Sequence, residues 1–387
     1  MADTQAPLLV AADRCTGCGA CANGCPKGAI HMTADGEGFL SPVVGEGCLQ
    51  CGHCAHICPA LKHREERSAP AVFAAWAEDD GLRRRSTNGG VFATLATQVL
   101  EDGGVVFGAA MDEHLTVRHV AVKNTADLPP LLGAKPVQSD VGDSFQQVRM
   151  YLDQGRRVLF AGTPCQVDGL YRFLGDYPEN LLTCDFLCGG VASPGVWQRL
   201  VKSMAYVKQK PPVAVEFSRK LPEGAGHRFF VTFAGGKTYD APLAKTEFGR
   251  GLKRRLFLRS ACHTCPYASV NRPGDLTLGT FRGLPKELDE QKQGVTMLLI
   301  NSVKGAHVVD TLALKKVART LDEAVADNVA LRQPREPSPY REAFFAALRQ
   351  APFQQVRIKY LAAGEPRDAM TPKALLQAVK EKLWKKR

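Results

Sequence analysis

Nowhere among the 387 residues is there an apolar run long enough to cross a bilayer. Residues 1–14 also lack the basic-then-apolar order of a signal peptide. Together these absences lead us to expect a cytoplasmic chain. No zinc-finger spacing, RNA-binding aromatic motif or recognition-helix pattern occurs, so nothing beyond charge speaks for nucleic acid, and we expect no such partner. Acidic residues are the scarcer charge, 39 against 50 basic, for a net +11. Residues 1–62 carry −2 of this, which leaves +13 for the rest. A basic body of that kind suits an anionic ligand, an acidic partner or a membrane surface. Length alone predicts two or three domains.

Cysteine, by contrast, is abundant and crowded: thirteen in all, eight within the first 58 residues. In a reducing compartment such crowding points to metal or cluster ligation rather than disulfides. Cys15, Cys18, Cys21 and Cys25 with Pro26 form C-x2-C-x2-C-x3-C-P, and Cys48, Cys51, Cys54 and Cys58 with Pro59 repeat it. This is the spacing of a two-cluster bacterial ferredoxin, in which the fourth cysteine of each run ligates the other cluster. We therefore expect Cys15, Cys18, Cys21 and Cys58 to hold one 4Fe–4S cluster, and Cys48, Cys51, Cys54 and Cys25 the second. Zinc sites or a disulfide scaffold are the plainer alternatives, but neither needs two complete runs with both prolines. Gly17, Gly19, Gly24 and Gly52 suit tight loops whose N–H groups approach sulfur.

A polar linker is expected at residues 63–70, and an α/β pattern follows it. Ala71–Ala77 reads as a buried strand. Val91 opens a helix stopped near Gly103, and 104–111 and 116–122 read as strands. Ser86, Asn88, Gly89 and Gly90 precede that helix, where free N–H groups and the helix dipole favour phosphate. A capped helix beside a solvated basic turn would look the same. Further on, 156–162, a helical stretch and 181–188 form a strand–helix–strand unit with parallel strands. Cys165 follows the first strand and Cys188 ends the second, so both fall on one sheet edge, where open α/β sheets bind ligands. Cys262-x2-Cys265 supplies two more thiols. The four suit a third cubane, a zinc ion or a redox disulfide, or are cysteines buried separately in the core. Cys184, in the middle of an apolar strand, is expected to ligate nothing.

Several separated segments, in order, resemble one family. They are STNGGVF (86–92), GAKPVQSD (133–140), VLFAGTPCQVDGL (158–170), FLCGGVASPGVW (186–197), LRSACHTCPYA (258–268) and NRPGDLTLG (271–279). Over residues 71 to 302 the chain is similar to the coenzyme F420 hydrogenase/dehydrogenase beta-subunit family. The resemblance implies an FAD, and a third 4Fe–4S cluster on Cys165, Cys188, Cys262 and Cys265. It implies FAD phosphate contacts at Ser86, Asn88, Gly89 and Gly90, with Lys135 and Thr163 beside the flavin. It also implies a redox partner protein or ferredoxin, and a small-molecule substrate such as coenzyme F420. The family's GSKY reads Gly133-Ala134-Lys135-Pro136 here, a usual His is Gly189, and GDFWG reads Gly279-Thr280-Phe281-Arg282-Gly283. These departures bear on the substrate more than on the cofactors.

The expected class is α+β, with a ferredoxin domain at 1–62, a larger mixed α/β flavin and iron–sulfur domain at 71–302, and a helical segment at 303–387. The last stretch, 371–387, reads as a basic amphipathic helix that packs on the body or touches a partner or membrane surface. The function expected is an iron–sulfur flavoprotein oxidoreductase passing electrons between the ferredoxin clusters and a hydride-exchanging FAD. The rival is a non-catalytic electron-transfer subunit serving a partner enzyme. No catalytic acid or base can be named; His227, His263 and Lys135 are candidates by position or chemistry alone.

Overall fold

A computed structural model describes residues 9–62, 69–221, 227–289 and 293–364, with the side chains of His227 and Lys286 outside that description. Most of the expected linker (63–68) and the whole amphipathic end (371–387) also lie outside it.

The N-terminal unit is small. Helix α1 (Ala20–Asn23), strands β1 (Ile30–Ala34) and β2 (Leu40–Val44), and helix α2 (His53–His56) repeat one another in pairs, as the two cysteine runs do. The strands form an antiparallel ribbon. The larger body follows with β3 (Ala71–Ala77), α3 (Asp80–Arg85), α4 (Val91–Glu101), β4 (Val105–Met111), β5 (Val117–Val122), α5 (Ser144–Asp153), β6 (Val158–Gly162), α6 (Pro164–Leu174) and β7 (Leu181–Phe186). Next come α7 (Pro194–Lys208), β8 (Pro212–Lys220), β9 (His227–Phe233), β10 (Thr238–Pro242) and α8 (Glu247–Lys253). The body closes with β11 (Leu276–Thr280), β12 (Thr296–Ile300), α9 (Val303–Thr311), β13 (Leu314–Arg319), α10 (Leu321–Ala326), α11 (Arg341–Gln350) and α12 (Phe353–Val356).

Eight strands make the main sheet in the order β13-β3-β12-β11-β7-β6-β4-β5. Neighbours β4, β6, β7 and β11 run parallel. Strand β12 is antiparallel to both β11 and β3, which gives β3 the direction of those four. The carboxyl ends of five strands therefore share one edge. All five residues of β6 are buried, as a central strand covered on both faces requires. Alternation along the strands separates two cores. Leu95, Val99 and Val309 of α4 and α9 pack on Val106, Leu159, Leu182 and Leu298. On the opposite face, Phe145, Val167 and Leu170 of α5 and α6 meet Phe107, Phe160 and Leu181. Cys18 and Ala20 of the N-terminal unit belong to this second core.

A three-stranded sheet, β10-β9-β8, builds another core around Trp197, Phe217, Phe248, Phe257 and Phe344, into which Phe39 of the N-terminal unit also inserts. Polar contacts fix the same docking. Asn23 Nδ2 donates to the Gly142 carbonyl (2.8 Å), Ser193 Oγ to the Glu37 carbonyl (2.6 Å), and Arg341 pairs with the Glu37 carboxylate.

Two expectations change. Strand β7 ends at Phe186, so Cys188 lies two residues past it rather than at its end. Among the described residues from 303 on, helices and short loops are interrupted by Leu314–Arg319, which becomes β13 and pairs with β3. That strand is an edge with Lys315 and Lys316 exposed, so it carries little of the apolar signal that marks a strand in sequence. The main sheet therefore continues past residue 302, where a boundary was expected.

Candidate cluster sites and the sheet edge

The eight N-terminal cysteines separate into two hollows. Cys15, Cys18, Cys21 and Cys58 line one, and Cys25, Cys48 and Cys51 the other, with Cys54 between them. Cys58 thus comes to the first run and Cys25 to the second, as a crossed ligand pattern requires. Helix α1 starts at Gly19 and α2 at Gly52, both left-handed, so each short helix carries its third cysteine back toward the loop. Burial, then the neighbouring Cys15 and Cys58, pushes the Cys21 thiol up to about 12. Bare thiolates packed this closely repel one another, and a cationic iron core relieves that repulsion. The inner hollow is buried at Cys15 and Cys18, whereas Cys51 of the outer one is exposed.

A third group of thiols gathers at the carboxyl edge of the main sheet. Cys165 sits in the first turn of α6, whose start is fixed by Thr163 and by Pro164 at the first helical position. Cys188 follows β7, and Cys262 and Cys265 come from the loop around Ser260–Thr264. All four line one hollow of about 700 Å³, measured with its open mouth, together with Thr16 and Gly17 of the N-terminal unit. Burial raises Cys165 to about 12 and Cys265 to about 11, and the Cys188 thiolate adds to both. Gly190 N–H donates to Cys188 Sγ (3.4 Å), and Thr163 Oγ1 lies 3.2 Å from Cys165 Sγ. Among the described residues no three His, Cys, Asp or Glu side chains are close enough to hold a single metal ion. Four thiols are a sufficient donor set for a four-iron cube. Cys184 lies apart, fully buried in the core with Leu182 and Leu276.

A buried ion pair locks this edge. Arg272 and Asp185 are both fully enclosed, with Nη2 2.6 Å from Oδ1. Asp185 also accepts from Gly274 N–H (2.9 Å) and Thr277 Oγ1 (2.9 Å), while Arg272 donates to the Tyr267 carbonyl (2.6 Å). The pair therefore ties the loop that follows Cys265 to the strand that leads to Cys188. Tyr267 in turn donates its hydroxyl to Asp168 of α6 (2.7 Å).

The start of α4 differs from expectation. Gly89 N–H already donates to Thr296 Oγ1 (3.1 Å), and a Cβ there would lie 2.4 Å from the Ala75 carbonyl oxygen. Glycine at 89 is thus explained by the close approach of β3 and β12, not by phosphate. Ser86 Oγ is likewise occupied, donating to the Leu82 carbonyl (2.9 Å), and Asn88 Oδ1 accepts from Thr280 Oγ1 (3.0 Å). What does suit an anion is nearby. Gly90, at φ 87°, starts α4. The buried Thr87 Oγ1 has no hydrogen-bond partner among the described residues and faces Gly133. The half-buried Lys135 donates to the Leu132 (2.8 Å) and Gly133 (3.2 Å) carbonyls, and desolvation pulls its ammonium down to about 8. Thr163 N–H and hydroxyl are both engaged with Gln166 Oε1 (3.0 Å each). His263 Nδ1 is 2.8 Å from the Arg335 carbonyl oxygen.

Sequence reasoning missed Arg272, Asp185, Tyr267 and Lys220. Lys220 Nζ clamps the carbonyls of Arg83 (2.8 Å), Asn88 (3.1 Å) and Gln293 across the loop before α4. Arg272 stood inside a motif already singled out, but nothing local marks an arginine as enclosed when its partner is 87 residues away.

Paired cysteine hollows on a pseudo-repeated small fold, docked to a mixed sheet, define an iron–sulfur protein of the dicluster ferredoxin type. Residues 14–61 match the family described as 4Fe-4S dicluster domain, and residues 155–324 match the C-terminal part of the family described as Coenzyme F420 hydrogenase/dehydrogenase, beta subunit. These matches show a dicluster domain near the N-terminus and, after it, a segment similar to the C-terminal part of that beta-subunit family. No curated protein matches it. A solved structure of the F420-reducing [NiFe] hydrogenase complex from Methanosarcina barkeri, xenon-derivatised, is similar at 16% identity over 71% of this chain and 97% of that one, with a TM-score of 0.46. That likeness is too loose to bear on the site.

Proposed function

We propose that the protein is an iron–sulfur flavoprotein oxidoreductase that passes electrons between its ferredoxin-type clusters and an FAD at the carboxyl edge of the main sheet. The observation that carries this reading is the meeting of Cys165, Cys188, Cys262 and Cys265 in one hollow shared with Thr16 and Gly17. Three segments distant in sequence converge there, against the very loop that belongs to the inner ferredoxin site. FAD would supply conversion between hydride, which carries two electrons, and the single electrons that iron–sulfur clusters accept.

The protein's own residues define the rest. Cys165, Cys188, Cys262 and Cys265 would hold a third cluster. Lys135, Thr87 and the first turn of α4 would meet the FAD phosphates, with Asn88 and Gly90 shaping the loop. Arg272 and Asp185 keep the two cysteine loops in register. The outer site, exposed at Cys51, would face a redox partner protein or ferredoxin. Coenzyme F420 is a candidate for the organic substrate. We place the protein in the cytoplasm, with the basic end at 371–387 available for contact with a membrane surface; no helix among the described residues is long and apolar enough to cross one.

One observation favours the rival, a carrier without flavin. Ser86 and Gly89 are both engaged within the protein. Anaerobic purification with iron, sulfide and flavin counts separates the two: about twelve irons with one FAD for the enzyme, about eight irons and no flavin for the carrier. Cys165→Ala should then remove about four irons, leave the ferredoxin signals intact and stop flavin from reducing them. Full iron content with normal internal transfer in that variant would refute the third site.

A further inference from the structure

Arg259 is nearly enclosed, at 3% exposure, and spans two of the cysteine groups. Its backbone belongs to the third cysteine group: its carbonyl accepts from Cys262 N–H (3.0 Å), and its N–H donates to the Val191 carbonyl (3.1 Å). Its side chain belongs to the ferredoxin unit. Nε donates to the Cys15 carbonyl (2.5 Å), Nη1 to the Leu40 carbonyl (2.9 Å) and Nη2 to Ser41 Oγ (3.0 Å). The guanidinium also lies over the Phe39 ring, 5.4 Å from its centroid.

These acceptors are two neutral carbonyls and a hydroxyl. Among the described residues no carboxylate pairs directly with Arg259; the nearest in its hydrogen-bond chain is Asp35, reached through Ser41 Oγ (3.2 Å). A buried guanidinium without an anion is costly. Elsewhere this chain does supply the anion, as Asp185 does for Arg272 and Glu37 for Arg341. The sequence even makes room for the exception. Gly17 has φ 67°, and a Cβ there would lie 3.0 Å from Arg259 Nη1 and 2.7 Å from the Leu40 carbonyl oxygen. A glycine inside the first cysteine loop thus leaves room for the Gln138 amide, whose Nε2 would lie 2.2 Å from such a Cβ, and for the guanidinium beside it.

The inner ferredoxin site can supply an anion, since the guanidinium bonds the Cys15 carbonyl directly. An iron–sulfur cube held by four thiolates is a net anion in both states, and gains one more negative charge on reduction. We infer that Arg259 is a positioning residue whose fixed positive charge stabilises the reduced form of the inner ferredoxin cluster, the one held by Cys15, Cys18, Cys21 and Cys58. The charge balance is simple: one electron enters the cluster, no proton need follow, and the guanidinium meets the added charge. This inference rests on the dicluster reading of the N-terminal unit and needs neither the FAD nor the third cluster.

The test is an anaerobic redox titration of the full chain, followed by electron paramagnetic resonance, with iron counted in every sample. Eight ferredoxin irons and two ferredoxin signals establish the reading on which the inference rests. Arg259→Gln, which keeps hydrogen-bonding capacity and loses the charge, should then lower the midpoint of one ferredoxin signal and leave the other in place. A tenfold fall in the reduced-to-oxidised ratio at fixed potential corresponds to about 59 mV for one electron and is the order expected. Gln138→Ala provides the control, because the Gln138 side chain also bonds Leu40, with Oε1 accepting from the Leu40 N–H (2.9 Å) and Nε2 donating to the Leu40 carbonyl (3.3 Å), yet carries no charge. It should leave both midpoints where they are. If Arg259→Gln keeps both clusters and both midpoints, or if Gln138→Ala shifts the potential equally, the inference is overturned. Should Arg259→Gln fail to hold its iron, Arg259→Lys decides: the displaced ammonium should give a smaller downward shift of the same single signal, and no shift refutes the role.

Discussion

Lys135 is the residue whose chemistry most directly reports on the proposed anion site. Desolvation sets its ammonium at about 8, against 10.5 in water, so near neutral pH it is charged but poised. Phosphate arriving beside it would favour the charged form, and binding would take up protons at pH near 8. FAD affinity of flavin-depleted protein should therefore be constant below about pH 7 and weaken as pH rises through 8. Lys135→Met should bind more weakly at neutral pH and lose that slope. The sign for stability is opposite: between about 8 and 10.5 the unfolded chain holds the extra proton, so folding without ligand strengthens as pH rises. Isothermal titration from pH 6 to 9 checks the first claim, and a flat affinity profile in the parent protein would remove Lys135 from the site. The position of Lys135 was legible through its motif. The engagement of Ser86 and Gly89 was not, because a glycine needed for phosphate and one needed for strand packing look identical in sequence.

Among the elements, β7 and the loop after Cys265 depend on one ion pair. Asp185→Ala would leave the Arg272 guanidinium enclosed without the Asp185 carboxylate, a loss of about 3–5 kcal/mol. Thermal unfolding should begin markedly earlier, and iron bound at Cys188 and Cys265 should be lost before ferredoxin iron. Replacing both residues together, Asp185→Leu with Arg272→Met, should recover part of the stability, since apolar residues of similar volume tolerate such a place. If the single variant melts like the parent, the pair is not what holds the edge. The strand–helix–strand unit around Cys165 was readable because its strands are continuous apolar runs and its helix starts with Thr-Pro. Strand β13 escaped because Leu314 alone among its six residues is buried, so no apolar alternation marks it. The three-stranded sheet escaped too, since β8 alternates around a register shift between Glu216 and Arg219.

For the molecule as a whole, the arrangement of thiol groups was only half legible. The repeated spacing located the two ferredoxin sites, and strand order placed Cys165 and Cys188 on one edge. That the ferredoxin unit presses Thr16 and Cys18 onto the first turns of α6 could not be read, because docking rests on scattered partners such as Asn23 with Gly142 and Gly169 beside Cys18. The outer ferredoxin site is exposed at Cys51, whereas the inner one is buried at Cys15 and Cys18. This gradation of depth also sets an order of decay. Oxygen and chelators reach a cluster through the solvent around its thiolates, so the site containing Cys51 should corrode first. Purified protein brought into air with a chelator should shed about four irons in a fast phase and the remainder slowly, with one ferredoxin signal fading before the other. Loss of all the iron in a single phase would show that depth confers no protection. If the phases separate, a preparation that has seen air will keep its inner wiring and lose its terminal, and will be judged inactive toward protein partners while still able to move electrons within itself.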